Sequence, residues 1–130
     1  MADKRLQDTD SQSYLLIISF LVYTMWIVET LNAVVDREVQ ELPTDLRARL
    51  SHIVRLIEVA GLSQLPPAYV KHLECKLWEL RLSGSSGIGR AIYVTAVGKR
   101  VVIVRAFVKK TQKTPHGELA LARERAKDVK

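Results

Sequence analysis

Val101-Val102-Ile103-Val104-Arg105-Ala106-Phe107-Val108-Lys109-Lys110-Thr111-Gln112-Lys113-Thr114-Pro115 is the stretch that decides how this chain is read. Its first eight residues are mostly β-branched or aromatic, the composition of a strand. The strand empties into three lysines, a glutamine and two threonines, and Pro115 then opens a last helix. A strand buried in a sheet is a rigid support, so groups at its end are held in place. Here those groups are cations and hydrogen-bond donors, which is what a phosphate backbone accepts. The same residues also suit an ordinary solvated strand exit.

Upstream, Val97-Gly98-Lys99-Arg100 reads as a tight hairpin, and Gly89 to Ala96 as the strand before it. Lys76-Leu77-Trp78-Glu79-Leu80-Arg81-Leu82 alternates, with Trp78, Leu80 and Leu82 on one face and Glu79 and Arg81 on the other. Ser83 to Gly87 is a flexible turn, Val70 to Glu74 a short edge strand, and Gln64 to Pro67 a loop. Before that loop the period is helical. Leu46, Leu50, Ile53, Val54 and Ile57 form an apolar stripe on a helix that starts at Thr44 or Asp45 and closes at Gly61. Asn32 caps a shorter helix that runs to Leu42 and is ended by Pro43. Trp26 to Leu31 is a strand, and Glu118 to Val129 a charged helix with Leu119, Ala122 and Ala126 on one side. The order predicts an α+β fold: two N-terminal helices packed on a small curved antiparallel sheet, with a C-terminal helix.

At 130 residues the chain is long enough for one core. Cys75 is the only cysteine and has no internal disulfide partner, which points to a reducing, cytoplasmic setting. Residues 1–65 hold 6 Lys and Arg against 9 Asp and Glu, whereas residues 66–130 hold 14 against 5. The basic character belongs to the second half and suggests a polyanionic partner. Residues 1–13 read as a disordered polar tail. Tyr14 to Val28 is an uncharged run of 15 residues, short of the roughly 20 that a membrane helix needs, and it lacks the basic start and cleavage site of a signal peptide. No stable membrane association is expected, although an anchored protein remains a rival reading. Met25 is an alternative start, so residues 1–24 are treated as an N-terminal extension and 25–130 as the domain.

Strict alternation puts Ile103, Arg105, Phe107 and Lys109 on one face of the last strand, and Val102, Val104, Ala106 and Val108 on the helix-covered face. Aligning polar faces then groups Glu79, Arg81, Arg105, Phe107 and Lys109 on one open surface, joined by Arg90 or Tyr93 from the middle strand. Cations, an aromatic face and a carboxylate are how single-stranded RNA is commonly held. Pairing of Glu79 with a neighbouring arginine would account for the carboxylate equally well. His52, His72 and His116 are scattered. His72 and Cys75 lack a second ligand pair, and no glycine-rich phosphate loop or carboxylate cluster is present, so neither metal nor cofactor is expected.

At Leu73-Glu74-Cys75-Lys76-Leu77-Trp78-Glu79-Leu80-Arg81, at Gly89-Arg90-Ala91-Ile92-Tyr93 and at Ala106 to Pro115 the chain resembles the phage-derived HigB-like toxins of the RelE/ParE superfamily, from bacterial type II toxin–antitoxin modules. The likeness spans about residues 25–130. Residues 1–24 depart from the family pattern, and so does Cys75, which stands where a small residue is usual. The resemblance implies a metal-independent, ribosome-dependent mRNA endonuclease that arrests translation, acts on mRNA on the ribosome and is held inactive by a cognate helix-turn-helix antitoxin. Arg81 and Arg90 match the family's motif arginines and suit phosphate stabilisation. With Lys109 and Lys110 they form the expected catalytic set, in which mutual lysine repulsion lowers a pKa enough to supply a base. Lys76, Tyr93, Arg105, Phe107, Gln112 and Lys113 are the expected RNA-binding residues. A ParE-like gyrase inhibitor or a non-catalytic RNA-binding protein is the competing reading of the same basic face.

Overall fold

The structure, a computed structural model, describes residues 11–20, 25–110 and 113–130. A helix over residues 11–20 (α1) precedes β1 (Ile27–Thr30), α2 (Ala33–Glu41) and α3 (Thr44–Ala60). Then follow β2 (Val70–Glu74), β3 (Leu77–Gly84), β4 (Gly87–Ala96), β5 (Arg100–Lys109) and α4 (His116–Ala126). Each boundary has a local cause. The Asn32 side chain accepts from the Val35 N–H at 3.1 Å and caps α2. Leu46, Leu50, Ile53 and Ile57 are the buried stripe of α3. Gly61 ends α3 with its N–H on the Ile57 carbonyl at 2.8 Å, at a φ of 92° that disfavours any side chain.

The five strands run in the order β1-β5-β4-β3-β2. β2 to β5 are antiparallel neighbours, but β1 lies parallel to β5. The sheet is therefore mixed, and the expected wholly antiparallel sheet is corrected. The four-strand meander leaves one edge of β5 open, and β1 fills its first half, with Leu31 N–H on the Ile103 carbonyl at 2.9 Å. The expected helix placement changes as well. α2 and α3 follow β1 rather than open the described fold, and α4 covers the other face of the sheet. Ser11 to Ser13 are helical rather than tail; the rest of the expected tail, and residues 21–24 of the apolar run, lie outside the described residues. Among the described residues no helix is long and apolar enough to cross a membrane.

The sheet separates two apolar clusters. Val35, Leu46, Leu50, Ile53 and Ile57 meet Leu80, Leu82, Ala91, Tyr93 and Ile103 on the α2/α3 side. Leu77, Ile92, Val94, Val102, Val104 and Phe107 meet Ala122 of α4 on the other. Alternation along β5 breaks between them. Ile92 pairs with Arg105 but Tyr93 pairs with Ile103, so Val104 is an extra residue, a β-bulge. Before the bulge Val101 and Ile103 face α3; after it Ala106 does. Strict alternation had placed Ile103 beside Arg105 and had turned Val102 and Val104 to the helices. Both assignments are reversed by this one residue.

The β3–β4 turn is anchored rather than flexible. Asp45, in the first turn of α3, accepts from the Ser86 N–H at 2.8 Å, the Ser86 hydroxyl at 2.6 Å and the Ser85 hydroxyl at 3.3 Å. These bonds hold its carboxyl down at about 2, the Ser86 hydroxyl having the largest effect. They also fix the hairpin whose strands carry Arg81 and Arg90.

Candidate active site

On the α4 side, Arg81 stands directly opposite Arg90 in the β3–β4 ladder, and Arg90 opposite Phe107 in the β4–β5 ladder. Like charges facing each other across a ladder are unfavourable unless an anion lies between them. Glu79 is the anion within the fold. Its Oε1 is 3.2 Å from Arg90 Nε, and the two side chains are 1% and 4% exposed. Arg90 also donates from Nη1 to the Gly89 carbonyl at 2.8 Å, yet its Nε–H is buried and meets no acceptor in hydrogen-bonding geometry. The Thr114 hydroxyl donates to Glu79 Oε2 at 2.6 Å, bringing the segment ahead of α4 onto the carboxylate.

Lys109, at the end of β5, is 6% exposed. Its pKa is lowered, first by desolvation and then by the charge of Arg90, with Arg81 and Lys71 adding to it and Glu79 opposing. Burial and the neighbouring arginines supply this shift, and Lys110 and Lys113 are exposed. Burial likewise lowers the Arg90 pKa, with Glu79 opposing and Arg81 reinforcing the shift. The charges of Arg90, Arg81 and Lys71 thus all bear on Lys109, with Glu79 the one carboxylate opposing them. The surplus is positive and rigidly mounted, an arrangement that favours an incoming anion carrying more than one charge.

The other expected site residues divide. Phe107 is on this face but 8% exposed, with the Arg105 guanidinium 5.6 Å above its ring. Arg105 is itself paired with Glu118 at 2.5 Å and Glu38 at 3.0 Å. Two carboxylates, with the Glu118 hydrogen bond the stronger influence, raise its pKa. Phe107 and Arg105 are both engaged with neighbours within the fold in this arrangement. Tyr93 points to the opposite face, 1% exposed, and burial pushes its phenol up to about 12. It lines an apolar groove of about 550 Å³ with Trp26, Leu65 and Trp78, away from the charged cluster. Lys76 is exposed in the β2–β3 turn, at the far end of the sheet from Lys109. Gln112 lies outside the described residues. The expected open surface is therefore a closed one: Arg81, Arg90, Lys109 and Glu79 come together, and Tyr93, Arg105 and Lys76 do not join them.

Two groups were not singled out as site residues from the sequence. Glu79 was placed on the right face, but an ion pair explained it. Thr114 was one of several polar residues after the strand, and a contact spanning 35 residues leaves no local signal. Among the described residues no three His, Cys, Asp or Glu side chains gather as metal ligands would.

No curated protein matches the chain. The crystal structure of the archaeal RelE–RelB complex from Pyrococcus horikoshii OT3 contains a chain similar to this one, with a TM-score of 0.48 and 20% identity, covering 65% of this chain and 96% of that one. Residues 37–127 match the model of the phage-derived Gp49-like proteins, DUF891, and this span holds α3, strands β2 to β5, α4 and all four cations of the cluster. The chain belongs to the phage-derived Gp49-like family.

Proposed function

We propose that the chain is the toxin of a type II toxin–antitoxin module, an endoribonuclease that cuts mRNA on the ribosome and is neutralised by a cognate helix-turn-helix antitoxin. The observation that carries this reading is the buried Glu79 carboxylate, which accepts a hydroxyl hydrogen bond amid Arg81, Arg90 and Lys109. RNA cleavage by its own 2′-hydroxyl needs those elements. A base takes the 2′-proton as the 2′-oxygen forms its bond to phosphorus, cations stabilise the phosphorane, and an acid returns a proton to the 5′-oxygen as the P–O5′ bond breaks. The products are a 2′,3′-cyclic phosphate and a 5′-hydroxyl.

Glu79 is the proton acceptor in this scheme. Arg81, the more exposed of the facing arginines, clamps the phosphate oxygens, with Arg90 beneath it. Lys109, made more acidic by burial and its neighbours, protonates the leaving oxygen. That reverses the base role expected of a lysine, because a carboxylate is already seated for the task. Lys110 and Lys113, exposed beyond the strand, serve the flanking phosphates, as does any contribution from Gln112.

Induced expression in cells tests the reading. Rapid translation arrest with mRNA cut only on ribosomes is expected. Arrest without cleavage, or a DNA-damage response with intact mRNA, would sink it and favour a gyrase-directed toxin. Arg81→Ala and Lys109→Ala are each expected to slow cleavage about 100-fold or more.

A further inference from the structure

The groups that carry the proposed chemistry are shut away. Glu79, Arg90 and Lys109 are all at least nine-tenths buried, so RNA reaches them only if something moves. The contact made onto Glu79 from beyond the strands is Thr114, whose hydroxyl donates to Oε2 at 2.6 Å. That is a charge-assisted O–H···O⁻ bond. It is also the bond that a ribose 2′-hydroxyl must make if Glu79 is to take its proton. Threonine and ribose C2′ both present a secondary alcohol, so the chemical match is close. Beside this seat, the buried Arg90 Nε lies 3.2 Å from Glu79 Oε1, so a guanidinium already stands next to the alcohol.

Thr114 leads into α4, and α4 is held mainly by polar contacts. Glu118 pairs with Arg105, Arg123 with Glu74, and Arg125 with Glu38. Arg125 also donates to the Val104 carbonyl at 2.9 Å. Ala122 is the only fully buried residue of the helix. Such a helix gives up little apolar burial when its first turn shifts, and its exposed Arg123–Glu74 pair can be exchanged for water, while the half-buried Arg125–Glu38 pair keeps its second half in place.

We infer that Thr114 is a stand-in for the substrate's 2′-hydroxyl: the closed chain fills the alcohol seat on Glu79 with its own secondary alcohol, and RNA enters by displacing Thr114 and the first turn of α4. The inference rests on the endoribonuclease reading above and adds a selection step to it. A strand bearing 2′-hydroxyls replaces the bond that it breaks. A deoxy strand does not, and so leaves the seat closed.

Single-turnover cleavage of mRNA on programmed ribosomes tests this with the full chain as wild type, Thr114→Val, Thr114→Ala and Glu79→Gln. Valine keeps the shape and removes the hydroxyl. Both Thr114 variants are expected to lower the half-saturating protein concentration about tenfold, the value of one hydrogen bond to a charged group, with no fall in maximal rate. A fall in maximal rate at unchanged half-saturation makes Thr114 a positioner of Glu79 and overturns the stand-in. Wild-type values for both parameters overturn it as well. Glu79→Gln separates the two levels: if that variant still cleaves, the mechanism proposed above fails, whatever Thr114 does. If it is inactive while Thr114→Val is slow, the mechanism stands and the stand-in falls. Hydrogen exchange over Glu118–Arg125 in the unliganded protein gives a readout independent of cleavage. Faster exchange in Thr114→Val supports the latch, and unchanged exchange counts against it.

Discussion

Among the described residues, apolar side chains interlock on the α2/α3 side of the sheet and no charge is buried there; on the α4 side, three ionisable residues, Glu79, Arg90 and Lys109, are buried among aliphatic ones. The first face follows the rule that burial of apolar area stabilises. The second accepts desolvated charge, which costs stability unless it is well paired. One strand, β5, serves both faces, and the Val104 bulge is the device that lets it do so. Before the bulge its α4-side residues are valines; after it they are Arg105, Phe107 and Lys109. Under the proposed function the contrast divides stability and chemistry between the faces, and variants on the two should fail in different ways.

The largest stability effect is expected on the helix face. Ile53 is fully buried, so Ile53→Ala should cost about 2–5 kcal/mol in chemical denaturation. Cleavage per folded molecule should stay at the wild-type level. A rate defect in folded Ile53→Ala protein would break the division between the faces.

Next comes Glu38, where the two regimes meet. It pairs with Arg105 and Arg125 and accepts from the Ala106 N–H at 3.3 Å, covering the half of the β5 edge that β1 does not reach. Burial alone raises its pKa, but the Arg125 hydrogen bond, the Ala106 N–H and both guanidiniums together hold it below the usual carboxylate range. Glu38→Ala takes one carboxylate from Arg105 and Arg125, which keep Glu118 and the Val104 carbonyl, and strands an edge N–H; it should cost about 1–3 kcal/mol, discounted for its partial exposure. Wild-type stability would mean that water replaces the carboxylate without loss.

Lys109→Met should separate stability from activity within one residue. The fold disfavours the Lys109 charge, so its pKa lies below that of the unfolded chain. The protonated side chain therefore costs stability at neutral pH, and that cost fades as pH rises toward 10.5. Removing the charge should raise the melting temperature at pH 7 while abolishing cleavage. A lower melting temperature would show the ammonium to be a net stabiliser.

What was legible in the sequence follows the same division. The α3 stripe, the Asn32 cap, the Gly61 stop and the alternation of β3 are local patterns, and each stands where expected. The Val104 bulge was not legible, because one inserted residue leaves composition untouched while reversing every later side chain. β1 was read as a strand, but its parallel pairing depends on which sheet edge stays open, a tertiary matter. Tyr93 and Arg90 lie three residues apart on one strand, so fixing one to the α4 face sends the other away. Arg105 reads as a free cation until Glu38 and Glu118, 67 residues before it and 13 after, arrive by folding.

The smallest and most localised effect is expected at the end of the sheet where α3 meets the β3–β4 turn. Asp45 is ionised in the fold down to about pH 2 because Ser86 and Ser85 hydrogen-bond its carboxylate. Its folded pKa lies below the ordinary aspartate value of 3.8, so its contribution is fully present above pH 3.8 and is lost as pH falls toward 2. Melting temperatures measured from pH 6 down to pH 2 should fall less steeply below pH 4 in Asp45→Asn than in the wild type. Gly84→Ala probes the same contact sterically: a methyl group there meets the Asp45 carboxylate and Leu46 Cδ2, and it should shift the acid limb in the same sense. If the two variants part company, with Gly84→Ala destabilising equally at every pH, then the turn is held by packing on Leu46 and the carboxylate is incidental. The turn also sets the register of Arg81 against Arg90. A shift here that slowed cleavage without further loss of stability would carry the influence of the apolar face into the charged one, and so mark the limit of the division between them.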